Sequence, residues 1–326
     1  MVAGQVRSIA SLHSDVIKHP DTFLLKYINI FFSQIGDNNN CWDYCFGKED
    51  QLSTSLVNIV DNQNFDGIDI DYEYCYDING LQSGRCSQRS NLYTDAKAQT
   101  FLDSLTSMLR MKLNALQDSN GYSRGRYELT HAPMDSDLSS TNSKYYQILK
   151  SRRDDLDFLM PQFYNGVTRP GIDGVVSSGV GSMSAVSLFS NLANDLFGEP
   201  NKVIFGFCIS DCSSTGSNVN GNTAAQVISD LKAYNGGEFS CNGGAFFWVA
   251  QHDSDSSWSD RVLQEVSATA GCSNPSSTTS TTATAFNPTG QPTIVNTGGD
   301  QSGQPSSARP TWRFAKTTKL AKTPNW

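Results

Sequence analysis

The chain has 326 residues, of which 38% are hydrophobic and 17% charged, enough to bury one large α/β core or two small ones. Its 32 acidic and 24 basic residues give a formal net charge of −8 and a pI near 5.0. That balance argues against a nucleic-acid partner, whose binding depends on clustered Lys and Arg, and no run is apolar and long enough to span a membrane.

Met1–Ser11 lacks the apolar core of a signal peptide. The first strand candidate is Tyr27–Phe32 (YINIFF), followed by an amphipathic stretch near Leu52–Val60. Strand candidates then recur at Phe65–Glu73, Tyr127–Pro133, Leu156–Tyr164, Val203–Cys208 and Ala245–Ala250. Helical patterns lie between and after them. The clearest runs from Asp95 to Gln117, with Phe101, Leu105, Leu109, Leu113 and Leu116 at helical spacing. Others cover Ala185–Leu196, Thr223–Tyr234 and Asp260–Ala268.

Strand–helix alternation means parallel β with crossover helices. A doubly wound nucleotide binder would carry a glycine-rich turn after its first strand, and none is found. The polar residues cluster at strand ends, as a (β/α)8 TIM barrel requires. Only about 64 residues precede the acidic strand, and each β/α unit takes roughly 30. The expected architecture is therefore a barrel over residues 1–272 lacking one or two N-terminal strands. Residues 273–326, rich in Ser, Thr, Pro and Gly with the run Ser-Ser-Thr-Thr-Ser-Thr-Thr at 276–282, are expected to be a disordered linker or tail.

Eight cysteines stand at 41, 45, 75, 86, 208, 212, 241 and 272. An even count favours disulfides and an oxidising compartment. Cys41/Cys45 and Cys208/Cys212 also have zinc-like spacing, but no histidine cluster accompanies them in sequence. The connectivity stays open. The local pairs Cys41–Cys45, Cys75–Cys86 and Cys208–Cys212 are the expectation, with no metal and no cofactor.

The chemistry concentrates in Asp69, Asp71 and Glu73, at i, i+2 and i+4, with Ile70 and Tyr72 between them. Alternate residues of a strand share a face, so the three carboxyls stack about 7 Å apart. Crowding and poor solvation favour protonation, so at least one of the three is expected to hold a proton near neutral pH. A protonated carboxyl beside an ionised one suits acid-catalysed glycoside cleavage. Glu73 is last on the strand and has the longest reach, so it is the candidate acid. A calcium loop spaces acids the same way, but it needs a Gly after the third acid, whereas Gly67 precedes this set. His131 is ambiguous, with a structural hydrogen-bonding role favoured.

Asp66-Gly-Ile-Asp69-Ile-Asp71-Tyr-Glu73 resembles the DGxDxDxE signature of family 18 glycoside hydrolases, the chitinases and related endo-β-N-acetylglucosaminidases, at all five specified positions. Leu-Thr-His-Ala-Pro (129–133), Met160-Pro-Gln162-Phe-Tyr164-Asn165 and Gly244-Ala-Phe-Phe-Trp248 resemble the fifth, sixth and eighth strands of plant and fungal class III-type members. Ser33-Gln-Ile-Gly36 partly resembles their third-strand turn.

The resemblance implies substrate-assisted, retaining hydrolysis of chitin or chitooligosaccharides. Glu73 would be the general acid/base. Asp71 would orient the acetamide, Asp69 would share its charge, and Tyr164 would donate to the acetamido oxygen. Gln162, Asn165, Met160 and Tyr74 would contact the sugar, with Trp248 as the floor. It further implies a monomer that is secreted or cell-wall associated. The alternative is a truncated, inactive chitin-binding or vestigial relative.

Overall fold

A computed structural model describes residues 11–12, 16–17, 27–31, 42–73, 76, 91–120 and 127–267. The chain divides into Met1–Asn274 and Pro275–Trp326. The second unit, and with it the expected disordered tail, lies outside the described residues.

The elements in chain order are β1 (Ser11–Leu12), β2 (Val16–Ile17), β3 (Tyr27–Phe31), α1 (Glu49–Gln63), β4 (Gly67–Asp71), α2 (Asp95–Ser119), β5 (Glu128–His131) and α3 (Lys144–Ser151). Then follow α4 (Pro170–Asp173), α5 (Ala185–Ser190), β6 (Phe205–Cys208), α6 (Gly221–Ala233), β7 (Ala245–Trp248) and α7 (Ser257–Ser267). α5 continues as a π-helical segment, Asn191–Phe197.

β3, β4 and β5 pair in parallel, with Asn29 beside Asp69 and Ile70 beside His131. β6 and β7 also pair in parallel. Residues 157–162 join the two groups. Met160 N donates to His131 O at 2.9 Å and Gln162 N to Pro133 O at 2.9 Å, while Ile204 N donates to Leu159 O at 2.9 Å. Six parallel segments therefore form one arc among the described residues, and they are the six expected strands.

The segment before β3 contributes two strands of two residues each, both antiparallel. β1 lies along β3 and β2 along β7, at the two ends of the arc. They cover part of each edge, and edge covering is one way to keep unpaired backbone from aggregating.

α2 shows why the crossovers form. Thr94 caps it, accepting from Lys97 N, and Phe101, Leu102, Leu105, Leu109 and Leu113 are fully buried on one face. Each such side chain contributes about 1.5–3 kcal/mol. They meet the outward residues of the strands: Ile68, Ile70, Tyr72, Leu129, Leu159, Phe163, Phe205 and Phe207 belong to the same core cluster.

The alternate positions turn inward. Ala132, Phe158, Met160, Ile204 and Phe246 make a separate apolar layer. Gly206 permits that layer, because a Cβ there would lie 2.5 Å from the Phe246 ring and 2.4 Å from Pro161 O.

His131 follows the same parity, facing outward and fully buried. The Thr106 hydroxyl donates to Leu102 O at 2.7 Å, so it accepts from His131 Nε2 at 3.0 Å, which leaves Nδ1 to accept from the Tyr145 hydroxyl at 3.0 Å. His131 is thus a structural residue. Burial pushes its pKa down to about 3, from an ordinary 6.5.

A base depressed in the folded state binds fewer protons there than in the unfolded chain. Its contribution is complete above pH 6.5 and is lost as the pH falls toward 3. We expect His131 to add up to about 1.4 kcal/mol per pH unit to the acid side of a urea-stability profile. We also expect its ring resonances not to titrate in the folded protein. Titration of the folded His131 above pH 5 would overturn this assignment.

Candidate active site

The site lies at the C-terminal ends of the parallel segments, the end where barrels place chemistry. β4 puts Asp69 and Asp71 on the inward face, and Glu73 follows two residues beyond Asp71. Asp69 is fully buried, Asp71 is 5% exposed and Glu73 is half-buried.

Gln162 brings the last two together. Its Nε2 donates to Asp71 Oδ1 at 3.1 Å, to Glu73 Oε1 at 2.8 Å and to Ala132 O at 2.9 Å. Two hydrogens thus serve three acceptors. The shared donor keeps the bonded oxygens of the two carboxyls within about 6 Å of each other. A buried amide needs polar partners, and the ladder supplies them.

Tyr164 is two residues further along the same inward face and is 6% exposed. Burial, reinforced by the charges of Asp71, Glu73, Asp69 and Asp135, pushes its hydroxyl well above its ordinary pKa. It remains a hydrogen-bond donor throughout the neutral range.

Tyr164 packs in one cluster with Cys208 and Cys212, against which Trp248 lies partly buried. Cys208 and Cys212 form a disulfide, so this expected pair is present and its sulfurs are not metal ligands. Cys241 is also disulfide-bonded. Cys45 corrects another expectation. It carries a free thiol, at the end of the 3-10 turn Trp42–Cys45 and partly buried against the core. Cys41 and the Cys75–Cys86 pair lie outside the described residues.

The remaining candidates separate. Met160 is fully buried in the apolar layer of the lumen. Asn165 has a left-handed backbone, φ 61°, and its side chain turns to the disulfide loop. Its Nδ2 donates to Cys212 Sγ at 3.1 Å and its Oδ1 accepts from the Thr215 hydroxyl. Tyr74 lies outside the described residues.

One residue here escaped the sequence reading. Asp135, just beyond β5, is fully buried. Its Oδ1 accepts from Val167 N at 3.0 Å, and its Oδ2 accepts from Thr168 N at 2.7 Å and Thr168 Oγ1 at 2.6 Å. Burial raises its pKa to about 6, while these hydrogen bonds and the Arg169 charge pull it down. In sequence, Met-Asp-Ser-Asp reads as an ordinary solvated turn.

Several solved structures share this fold. A GH18 chitinase from Pseudoalteromonas aurantia matches with a TM-score of 0.53 and 22% identity, over 73% of this chain and 74% of that one. A mutant class V chitinase from Nicotiana tobaccum in complex with NAG4 matches with a TM-score of 0.53 and 12% identity, over 74% and 80%. A mutant GH18 chitinase from Cycas revoluta in complex with (GlcNAc)4 gives a TM-score of 0.51 and 12% identity, over 74% and 80%. No protein-family model and no curated protein sequence matches the chain.

Proposed function

We propose that the protein is a family 18-type chitinase that cleaves β-1,4-linked N-acetylglucosamine polymers with retention of configuration. The observation that carries this reading is the Gln162 amide joining Asp71 to Glu73 at the mouth of the lumen. A double displacement through a protein carboxylate needs the nucleophile on the sugar face opposite the acid. Asp71 and Glu73 share one strand direction and one amide, so they stand on the same side. The substrate's own 2-acetamido oxygen is then the nucleophile.

In this mechanism Glu73 protonates the leaving oxygen as the acetamido oxygen attacks the anomeric carbon. The leaving chain departs with that proton, and an oxazolinium ion remains. Asp71 holds the acetamide N–H, Asp69 shares its charge, and Tyr164 donates to the acetamido oxygen. Trp248 offers an apolar face to the pyranose ring. Glu73, now a carboxylate, takes a proton from the water that opens the ring, which regenerates the acid.

The class III-like subtype rests on the motifs at 129–133, 160–165 and 244–248. The disulfides suit a secreted or cell-wall-associated enzyme. A second reading, chitin binding without turnover, is favoured by the two short antiparallel strands at the ends of an arc of six parallel segments among the described residues.

The test is hydrolysis of a chitooligosaccharide by the purified full chain, with the product anomer followed by NMR. The expected result is turnover with the β-anomer formed first. Binding without turnover selects the second reading, and an α-anomer as first product sinks the substrate-assisted mechanism.

A further inference from the structure

We propose that Asp135 is a positioning residue for Tyr164, its carboxylate fixing the turn at 166–168 and so setting where the tyrosine hydroxyl stands in the lumen. This rests on the reading of Tyr164 as donor to the acetamido oxygen.

Tyr164 is held from both sides along the chain. The preceding backbone is tied to β5 through Gln162 N and Pro133 O, at 2.9 Å. Beyond it the chain leaves the barrel wall and turns at once: Gly166 N donates back to Tyr164 O at 2.8 Å. Asn165 N donates to Ser217 Oγ at 3.4 Å, and Val167 O accepts from Ser182 N at 2.8 Å and Met183 N at 3.1 Å. Asp135 holds the amides that follow, with both oxygens on those of Val167 and Thr168 and on the Thr168 hydroxyl.

The other side of the turn is held by Arg169. Its Nη1 donates to Gly166 O at 2.7 Å and to Thr168 O at 2.6 Å. The turn is therefore clamped, two of its amides on a carboxylate and two of its carbonyls on a guanidinium, with Val167 O on the amides of Ser182 and Met183. Gly166 is the residue that admits the carboxylate, since a Cβ there would lie 1.4 Å from Asp135 Oδ1.

A buried charge is a costly way to hold a turn. A neutral acceptor would satisfy two amides with less desolvation. The carboxylate adds a fixed negative charge close enough to act on the Tyr164 hydroxyl alongside Asp71, Glu73 and Asp69. Burial and the ladder carboxylates dominate the hydroxyl's hold on its proton, so what Asp135 chiefly sets is the position of the backbone next to Tyr164. Catalytic groups lose about 10²-fold in rate when displaced by roughly 1 Å, so a clamp on the turn next to Tyr164 is well placed to control turnover.

The experiment compares the full chain with Asp135→Asn, Tyr164→Phe and the double variant. Asn at 135 keeps one acceptor but points an amide N–H at the Thr168 donors. The first readout is independent of activity: the ring resonances of Tyr164 in tyrosine-labelled protein, assigned by their loss in Tyr164→Phe. The second is kcat and KM on a fluorogenic chitooligosaccharide.

Expected are a displaced Tyr164 resonance in Asp135→Asn and a fall in kcat of about 10- to 100-fold with KM little changed. Asp135→Asn is expected to cause no further loss in the Tyr164→Phe background. If Asp135→Asn does not fold, Thr168→Val removes the 2.6 Å hydroxyl contact alone and carries the same expectation at smaller size. An unmoved Tyr164 resonance in a folded variant overturns the proposal, as does a kcat loss that is fully additive with Tyr164→Phe. If the unsubstituted chain binds but does not turn over, the chitinase reading fails, while the resonance still decides the role of Asp135.

Discussion

Glu73→Gln is expected to lower kcat on chitooligosaccharides by about 10²- to 10⁴-fold, the range for loss of a general acid. The substitution is nearly isosteric. Its remaining carbonyl oxygen can still accept from Gln162 Nε2, now at 2.8 Å from Glu73 Oε1, so the amide bridge to Asp71 survives. What disappears is a group able to give a proton to the leaving oxygen and take one from water. Folding and oligosaccharide affinity should therefore be retained, which quenching of tryptophan fluorescence on titration with chitooligosaccharide would report. A variant that keeps more than about a tenth of the unsubstituted kcat would remove Glu73 from the role of acid.

The residues behind this expectation are legible in the sequence. Acids at i, i+2 and i+4 with Ile70 and Tyr72 between them can share one face only on a strand, and the strand period alone orders them. The same parity sends Gln162 and Tyr164 inward and Phe163 into the outer core. What parity cannot supply is contact between distant segments. Asp135 becomes a buried clamp because a turn some 30 residues later folds over it. The Asn165 side chain turns to the disulfide loop because Thr215 and Cys212, about 50 residues away, stand beside it. β1 and β2 left no signal, because two residues hold no period. The orientation of His131 was readable in principle, since Thr130 and Ala132 flank it on the opposite face, but only once the register of β5 was known.

Arg110→Met is expected to produce the largest loss of stability, about 3–5 kcal/mol. Arg110 sits on α2, is 4% exposed, and reaches the end of the arc opposite the carboxylate ladder. Its Nε donates to Asp155 O at 2.8 Å, its Nη1 to Tyr127 O at 2.9 Å, and its Nη2 bonds the Asp157 carboxylate. Asp157 also accepts from Leu129 N at 2.7 Å, so the guanidinium joins the start of β5 to the start of the 157–162 segment. Met fills similar volume but leaves the Asp157 charge without its cation and two carbonyls without their donor, in a place water reaches poorly. For a domain of this size the loss corresponds to roughly 10 °C in Tm. The carboxylate ladder proposed to do the chemistry lies at the other end of the same strands, so kcat per folded molecule, measured well below the new Tm, should stay unchanged. Barrels divide their labour in this way, stability at the N-terminal ends of the strands and catalysis at the C-terminal ends. A fall in kcat at unaltered stability would mean that the two ends of this arc are coupled and that the division does not hold here.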